Sequence, residues 1–200
     1  MKIKYLGTAA AEGWPGLFCA CDHCRRARKA GGRNIRTRSQ ALIDDQLLID
    51  FPADTYLHVL QYGLDLTAVT HCLITHDHSD HLYAGDLAMR SGAFAHRPTE
   101  DSLTIYATAP ACQKIRPVLQ VYQDPVGPAS CEQIKAFEPF MAGPYRVVPL
   151  KADHAPECEP VIYLISRHER TLLYGNDTGY FPEETWQYLK ESGVRLSLVS

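Results

Sequence analysis

The sequence predicts an α/β fold, and three observations carry the prediction. Short apolar runs of strand length alternate with segments of helical periodicity, the order expected where helices cover a sheet. At 200 residues the chain has the length of one domain, read here as residues 1–200, with a core of its own. Its composition, 46% hydrophobic and 22% charged with 13 glycines and 13 prolines, excludes disordered, collagen-like and coiled-coil classes.

Lys2 to Thr8 reads as a first strand ending at Gly7, followed by a Gly/Pro/Ala loop as far as Gly16. Cys24 to Ala30 has helix-forming residues and stops at Gly31-Gly32. Gln40 to Asp44 and Gln46 to Asp50 are β-rich runs around Asp44-Asp45, the pattern of a hairpin. Pro52 then suits a first helical position, with apolar Tyr56, Val59 and Leu60 at helical spacing and Gly63 as the C-terminal cap. Val69 to Thr75 is a mostly apolar strand running into His76-Asp77-His78-Ser79-Asp80-His81, and Leu82 to Arg90 is expected to be helical up to Gly92. Leu103 to Ala107 is a strand, Ala111 to Tyr122 a helix and Asp124 to Ser130 a proline-broken loop. Strand-like runs follow at Glu132 to Glu138, Tyr145 to Leu150, Val161 to Ser166 and Thr171 to Tyr174. Pro182 to Glu191 is helical and Val194 to Val199 reads as a last strand.

No apolar run approaches the ~18 residues of a membrane helix, and the first residues lack the apolar stretch of a signal peptide, so a cytoplasmic location is expected. Seven cysteines, an odd number without an export signal, point to reduced thiols or metal ligands, and nine histidines strengthen the metal reading. Arg25, Arg26, Arg28, Lys29, Arg33, Arg36 and Arg38 put +7 on residues 25–38, which leaves −10 on the rest of a chain whose net charge is −3. One basic segment on an acidic body can attract a small anion such as a phosphate ester, whereas a general nucleic-acid binder is basic over a whole face. A solvated helix-and-loop face explains the charge run equally simply.

The densest chemical signal is His76-x-His78-x-Asp80-His81. In extended backbone, residues two apart project to one side, so both imidazoles can reach one ion while the following turn aims Asp80 and His81 at a second. Imidazole and carboxylate donors suit zinc, iron or manganese. A second cluster, Cys19-Ala20-Cys21-Asp22-His23-Cys24, places three thiols within six residues, enough to wrap one structural zinc unless the thiols simply pack. His58, His71, His96 and His168 read as satisfied or solvated histidines, and Cys72, Cys112, Cys131 and Cys158 as small apolar fillers. Trp14, Phe18 and Tyr83 flank the motifs and suit either a pocket wall or the core.

Thr75-His76-Asp77-His78-Ser79-Asp80-His81 resembles the signature of the metallo-β-lactamase superfamily, whose fold is a four-layer αββα sandwich. The resemblance continues in order through Asp50 of Leu48-Ile49-Asp50, His154 of Ala152-Asp153-His154 and Asp177 of Gly175-Asn176-Asp177-Thr178-Gly179. It implies that His76, His78 and His154 hold one divalent ion, Asp80 and His81 a second, and Asp177 bridges the two, with Asp50 orienting ligand imidazoles. The ions would be zinc or manganese. Two ions ~3.5–4 Å apart would acidify a shared water and hold the bridging hydroxide for in-line attack, with Asp80, His81 and Asp177 at the reacting groups. The family's last histidine, near its C-terminus, has no counterpart, since no histidine follows His168. On this resemblance the chain lacks the C-terminal part of the fold, and roughly 40–60 further residues would still fit one domain.

Cys19-x-Cys21-x-x-Cys24 ahead of such a domain is similar to the phosphoribosyl cyclic phosphodiesterase (PhnP-like) group, and also to a pyrroloquinoline-quinone biosynthesis protein. The fourth zinc ligand of that group, a late histidine, is again missing, which leaves His23, Cys158, water or another chain as substitutes. The resemblance implies a phosphodiesterase for a small anionic phosphodiester, cyclic ones included; the apolar runs and the charge distribution add the expectation of no membrane partner and disfavour nucleic acid, and a homodimer is the remaining association. Its alternatives are a tRNA 3′-processing type of ribonuclease and a non-catalytic metal or cofactor carrier. A glyoxalase-type thioesterase and a β-lactamase proper fit less well.

Overall fold

A computed structural model describes residues 1–96, 101–121 and 128–200, so the expected helix end at Tyr122 and most of the expected Asp124–Ser130 loop lie outside the described residues. Strands β1 (Ile3–Gly7), β2 (Gln40–Ile43), β3 (Leu47–Ile49), β4 (His71–Leu73), β5 (Leu103–Ala107) and β6 (Ala129–Gln133) form one sheet in that order. Its first three strands are antiparallel and β3 to β6 are parallel. Strands β7 (Phe140–Ala142), β8 (Tyr145–Lys151), β9 (Val161–Arg167), β10 (Arg170–Tyr174) and β11 (Leu198–Val199) form the second sheet, antiparallel except for the β10–β11 pair. Four helices, α1 (Asp22–Ala30), α2 (Thr55–Tyr62), α3 (Ala109–Val121) and α4 (Glu183–Glu191), complete the described elements together with short 3-10 turns.

Three apolar layers show how the sheets stack. Ile43, Leu47, Ile49 and Leu73 of the first sheet meet Tyr145, Val147, Tyr163, Ile165 and Leu172 of the second. The opposite face of the first sheet, with Leu42, Leu48, Cys72 and Ile105, packs on Ala111, Cys112 and Ile115 of α3. The far face of the second sheet, with Val148, Leu150, Ile162 and Leu164, packs on Tyr188 and Leu189 of α4. Because both sheets bury side chains on two faces, helices lie outside a double sheet, the αββα layering. The near-continuous apolar runs of β3, β4 and β9 are the sequence counterpart of that two-sided burial.

The expected hairpin forms. Asp44 and Asp45 both adopt positive φ (48° and 58°) in the three-residue connection between the paired Ile43 and Leu47, where the Gln46 amide closes the turn on the Ile43 carbonyl. The Asp44 carboxylate is held by the Lys2 amide, the Tyr145 hydroxyl and Arg167 at 2.6, 2.9 and 2.8 Å. Gly7 closes β1 because a Cβ there would sit 1.8 Å from the Arg38 carbonyl oxygen. Gly63 caps α2 in the left-handed conformation.

Several expectations need correction. The second helix starts at Thr55 rather than Pro52, whose carbonyl instead accepts the Thr55 hydroxyl and amide. Tyr56 and Leu60 are exposed, and the inward face is Thr55, His58 and Val59. That face is polar and still buried because His58 meets Gln40 Oε1 at 2.5 Å and Thr37 Oγ1 at 2.7 Å, while Gln40 Nε2 donates to Thr55 Oγ1 at 3.0 Å. The Leu82–Arg90 helix is a 3-10 segment, Ala84–Arg90. The strand expected over Val69–Thr75 is only His71–Leu73, the last strand is only Leu198–Val199, and the strand expected at Glu132–Glu138 is Ala129–Gln133. Among the described residues no helix is long and apolar enough to cross a membrane.

Candidate metal centre

The carboxyl ends of β3 and β4 build the site. The backbone turns sharply after β3, with Asp50 at φ 63° and its amide bonded to the Leu73 carbonyl. Phe51 and the loop after β4 are strapped together: the Phe51 amide donates to the His81 carbonyl and the Tyr83 amide to the Phe51 carbonyl, both at 2.7 Å. The second sheet joins at the same end, where the Val161 amide donates to the Thr75 carbonyl at 2.9 Å. Polar groups following apolar strands are thereby concentrated on one edge of the double sheet.

His76, His78 and His154 bring their ligating atoms within 4.8 Å of one another, and so do His76, His81 and Asp177. His78 Nδ1 lies 3.0 Å from His76 Nε2 and 3.1 Å from His154 Nε2. Three imidazole nitrogens can face one point only with a proton or a cation between them, which is the donor arrangement of a metal triad. His81 Nε2 faces Asp177 Oδ2 at 3.4 Å and Asp80 Oδ2 at 3.6 Å. It is buried and has no hydrogen-bond partner. An orphaned buried nitrogen beside two carboxylates fits a divalent cation, and so does the hard-and-borderline N/O donor set.

Asp50 is fully buried behind this cluster. Its Oδ1 accepts the Thr75 amide at 2.8 Å and the Thr75 hydroxyl at 2.9 Å, and its Oδ2 accepts from His81 Nδ1 at 2.7 Å. That bond fixes which ring nitrogen carries the proton and leaves Nε2 directed at Asp80 and Asp177. Burial opposes a charge on His81, but the carboxylates of Asp50, Asp177 and Asp80 outweigh it and push the imidazole up to about 10. His76 goes the other way, down to about 3, through burial first and then the neighbouring imidazoles. Contact with His81 holds the Asp177 carboxyl below the usual carboxylate range, against the effect of burial.

Other side chains, which sequence reasoning missed, position the loops. Lys114 of α3 grips Asp77 through both its Oδ2 and its carbonyl, each at 2.6 Å. Asn176 Nδ2 donates to Ser39 Oγ at 2.5 Å, and Asp153 accepts the Gly179 amide through its carbonyl while its own amide donates to Thr178 Oγ1, so the His154 and Asp177 loops are tied together. Asn176 and Thr178 stood inside the Asn-Asp-Thr-Gly signal, whereas nothing local marks Lys114 or Ser39.

Cys19, Cys21 and Cys24 also converge within 4.8 Å. Cys21 is the N-cap of α1, its sulfur accepting the Cys24 amide, and this bond, with the Cys19 thiol next, lowers Cys21 to about 7. Neither His23 nor Cys158 lies in the group that the three thiols form. Cys158 instead groups with His78 and Glu157, because the 3-10 turn Pro156–Cys158 places it beside the histidines. His23 contacts Arg26. The basic segment starts on α1 with Arg25, Arg26, Arg28 and Lys29 and continues beyond it with Arg33, Arg36 and Arg38, but Arg28 is bonded to the Cys19 and Gly16 carbonyls, Arg25 to Asp22, and Arg38 to Asp54. Only part of the +7 is therefore free to meet an external anion. Trp14, Phe18 and Tyr83 are exposed, so none of them belongs to the core.

Two stacked sheets, outer helices and a histidine–aspartate cluster at one strand-end edge define a metallo-β-lactamase type of fold. The chain belongs to the β-lactamase superfamily, whose domain model matches residues 49–198. Solved structures share the fold at low identity. A diphosphatase from the PhnP family is 19% identical with a TM-score of 0.68, over 94% of this chain and 69% of that one. Zn2+-bound PqqB from Methylobacterium extorquens is 20% identical with a TM-score of 0.65, over 86% of this chain and 61% of that one. The short form of human tRNase Z is 16% identical with a TM-score of 0.60, over 86% of this chain and 67% of that one. The chain thus spans between 61% and 69% of these structures' lengths. No curated protein matches it in sequence.

Proposed function

We propose that the protein is a dinuclear metal-dependent hydrolase acting on small anionic phosphodiesters, cyclic ones included. The observation that supports this most is the orphaned His81 Nε2 between Asp80 and Asp177, beside the converging nitrogens of His76, His78 and His154. In this reading His76, His78 and His154 hold one ion, Asp80 and His81 the other, and Asp177 both. Bound zinc or manganese supplies Lewis-acid stabilisation of phosphoryl oxygens and an acidified water. The chain's own part is positional. Asp50 fixes the His81 tautomer, and Lys114 and Ser39 hold the loops that present Asp77 and Asp177. The thiols hold a structural zinc that pins the start of α1. The same reading places the protein in the cytoplasm, as one domain over residues 1–200.

The test is hydrolysis of bis(4-nitrophenyl) phosphate and of a cyclic ribose phosphate by protein reloaded with manganese or zinc. Turnover that collapses in His76→Ala supports the reading. No turnover with either ion, or turnover unaffected by His76→Ala, would refute it.

A further inference from the structure

Outside the histidine–aspartate cluster, the side chains of Cys112 and Cys131 meet with their sulfurs 3.0 Å apart. This is closer than unbonded sulfurs normally approach, and both cysteines are free thiols. Cys112 is on α3 and buried; Cys131 is half-buried on β6, the edge strand of the first sheet, where it pairs with Ile105. The two positions are 19 residues apart in sequence but bracket the packing of α3 on β6. The two thiols share a hydrogen bond, and this contact lowers Cys112, with Arg116 adding to the effect against burial. The pair thus holds a nucleophilic sulfur against a neighbour that solvent can reach. Cys72 offers the contrast of a thiol raised by complete burial.

We propose that Cys112 and Cys131 are an oxidative modification site that closes to a reversible disulfide under hydrogen peroxide. One thiolate attacks the peroxide, the O–O bond breaks, and hydroxide leaves as a sulfenic acid forms. The other thiol's sulfur then attacks the sulfenic sulfur, the S–S bond forms and water departs. Two thiols and one peroxide give one disulfide and two waters. The bond staples the edge strand to the helix whose Lys114 grips Asp77 in the histidine loop.

The experiment treats zinc-loaded full-length protein with stepped hydrogen peroxide, alkylates the remaining thiols and maps the peptides. A cross-linked peptide joining Cys112 to Cys131, lost on adding dithiothreitol and absent from Cys131→Ser and Cys131→Ala, supports the site. Closing a loop of this length also predicts a thermal midpoint about 5 °C higher or more for the oxidised form, with no such shift in either variant. Sulfinic acid at Cys131 with Cys112 still alkylated, or Cys131 linked to another cysteine, would overturn it. The peptide map of the unaltered chain decides the matter even if a variant folds poorly.

Discussion

Replacing Asp50 by Asn keeps the shape of a buried side chain and removes its charge. Oδ1 can still accept from Thr75, but an amide N–H now faces His81 Nδ1 where a carboxylate accepted. The imidazole loses the largest of the three carboxylate contributions that keep it charged, while Asp177 and Asp80 remain. Moving a histidine from 6.5 to about 10 corresponds to ~5 kcal/mol in favour of the charged form, and breaking one side of a buried pair costs about 3–5 kcal/mol. Because the folded-state value is raised, this stabilisation is complete below about pH 6.5 and is lost as pH rises through about 10. Urea unfolding of the chelator-stripped protein should show Asp50→Asn weaker by about 3–5 kcal/mol near pH 6.5, a midpoint roughly 2 M lower for an m-value of about 2 kcal/mol/M. The deficit should close as pH approaches 10. A deficit that does not change with pH, or none at all, would refute the assignment of Asp50 as the group that charges and orients His81.

Three further outcomes follow from the same geometry. Metal loading should displace about one proton from His81 at pH values below about 10, so calorimetry in buffers of different ionisation enthalpy should show proton release and an affinity that rises with pH up to about 10. Cys24→Ser should lower the zinc content by about one ion per chain while leaving metal at the histidine cluster, which elemental analysis of the purified variant checks. His58→Leu should cost about 2–5 kcal/mol in chemical unfolding, since Gln40 and Thr37 each lose a buried partner.

The histidine loop was legible in the sequence because four potential ligands followed an apolar strand and its flanking turns were short. Asp50, His154 and Asp177 were legible only through the order in which they recur in a familiar pattern, since each alone is ordinary turn chemistry. The helix after β3 misled for a physical reason. Its apolar residues Tyr56 and Leu60 face solvent, and beside Val59 the inward face is made by polar Thr55 and His58, whose partners Gln40 and Thr37 come from another part of the chain. Periodicity reads apolarity and cannot see a hydrogen-bond partner 18 or 21 residues away. The three-residue strand β7 and the role of Lys114 escaped for the same cause, because long-range pairing rather than local pattern defines them.

The proposed dinuclear site needs two ions at the strand-end edge, one among His76, His78 and His154 and one against Asp80, His81 and Asp177. Anomalous X-ray scattering from a zinc-loaded crystal, recorded at the zinc edge, tests it directly. The expected map has two peaks ~3.5–4 Å apart within that cluster and a third at Cys19, Cys21 and Cys24. A map with scattering only at the thiols, and none among the histidines, would rule out a metal centre at this edge.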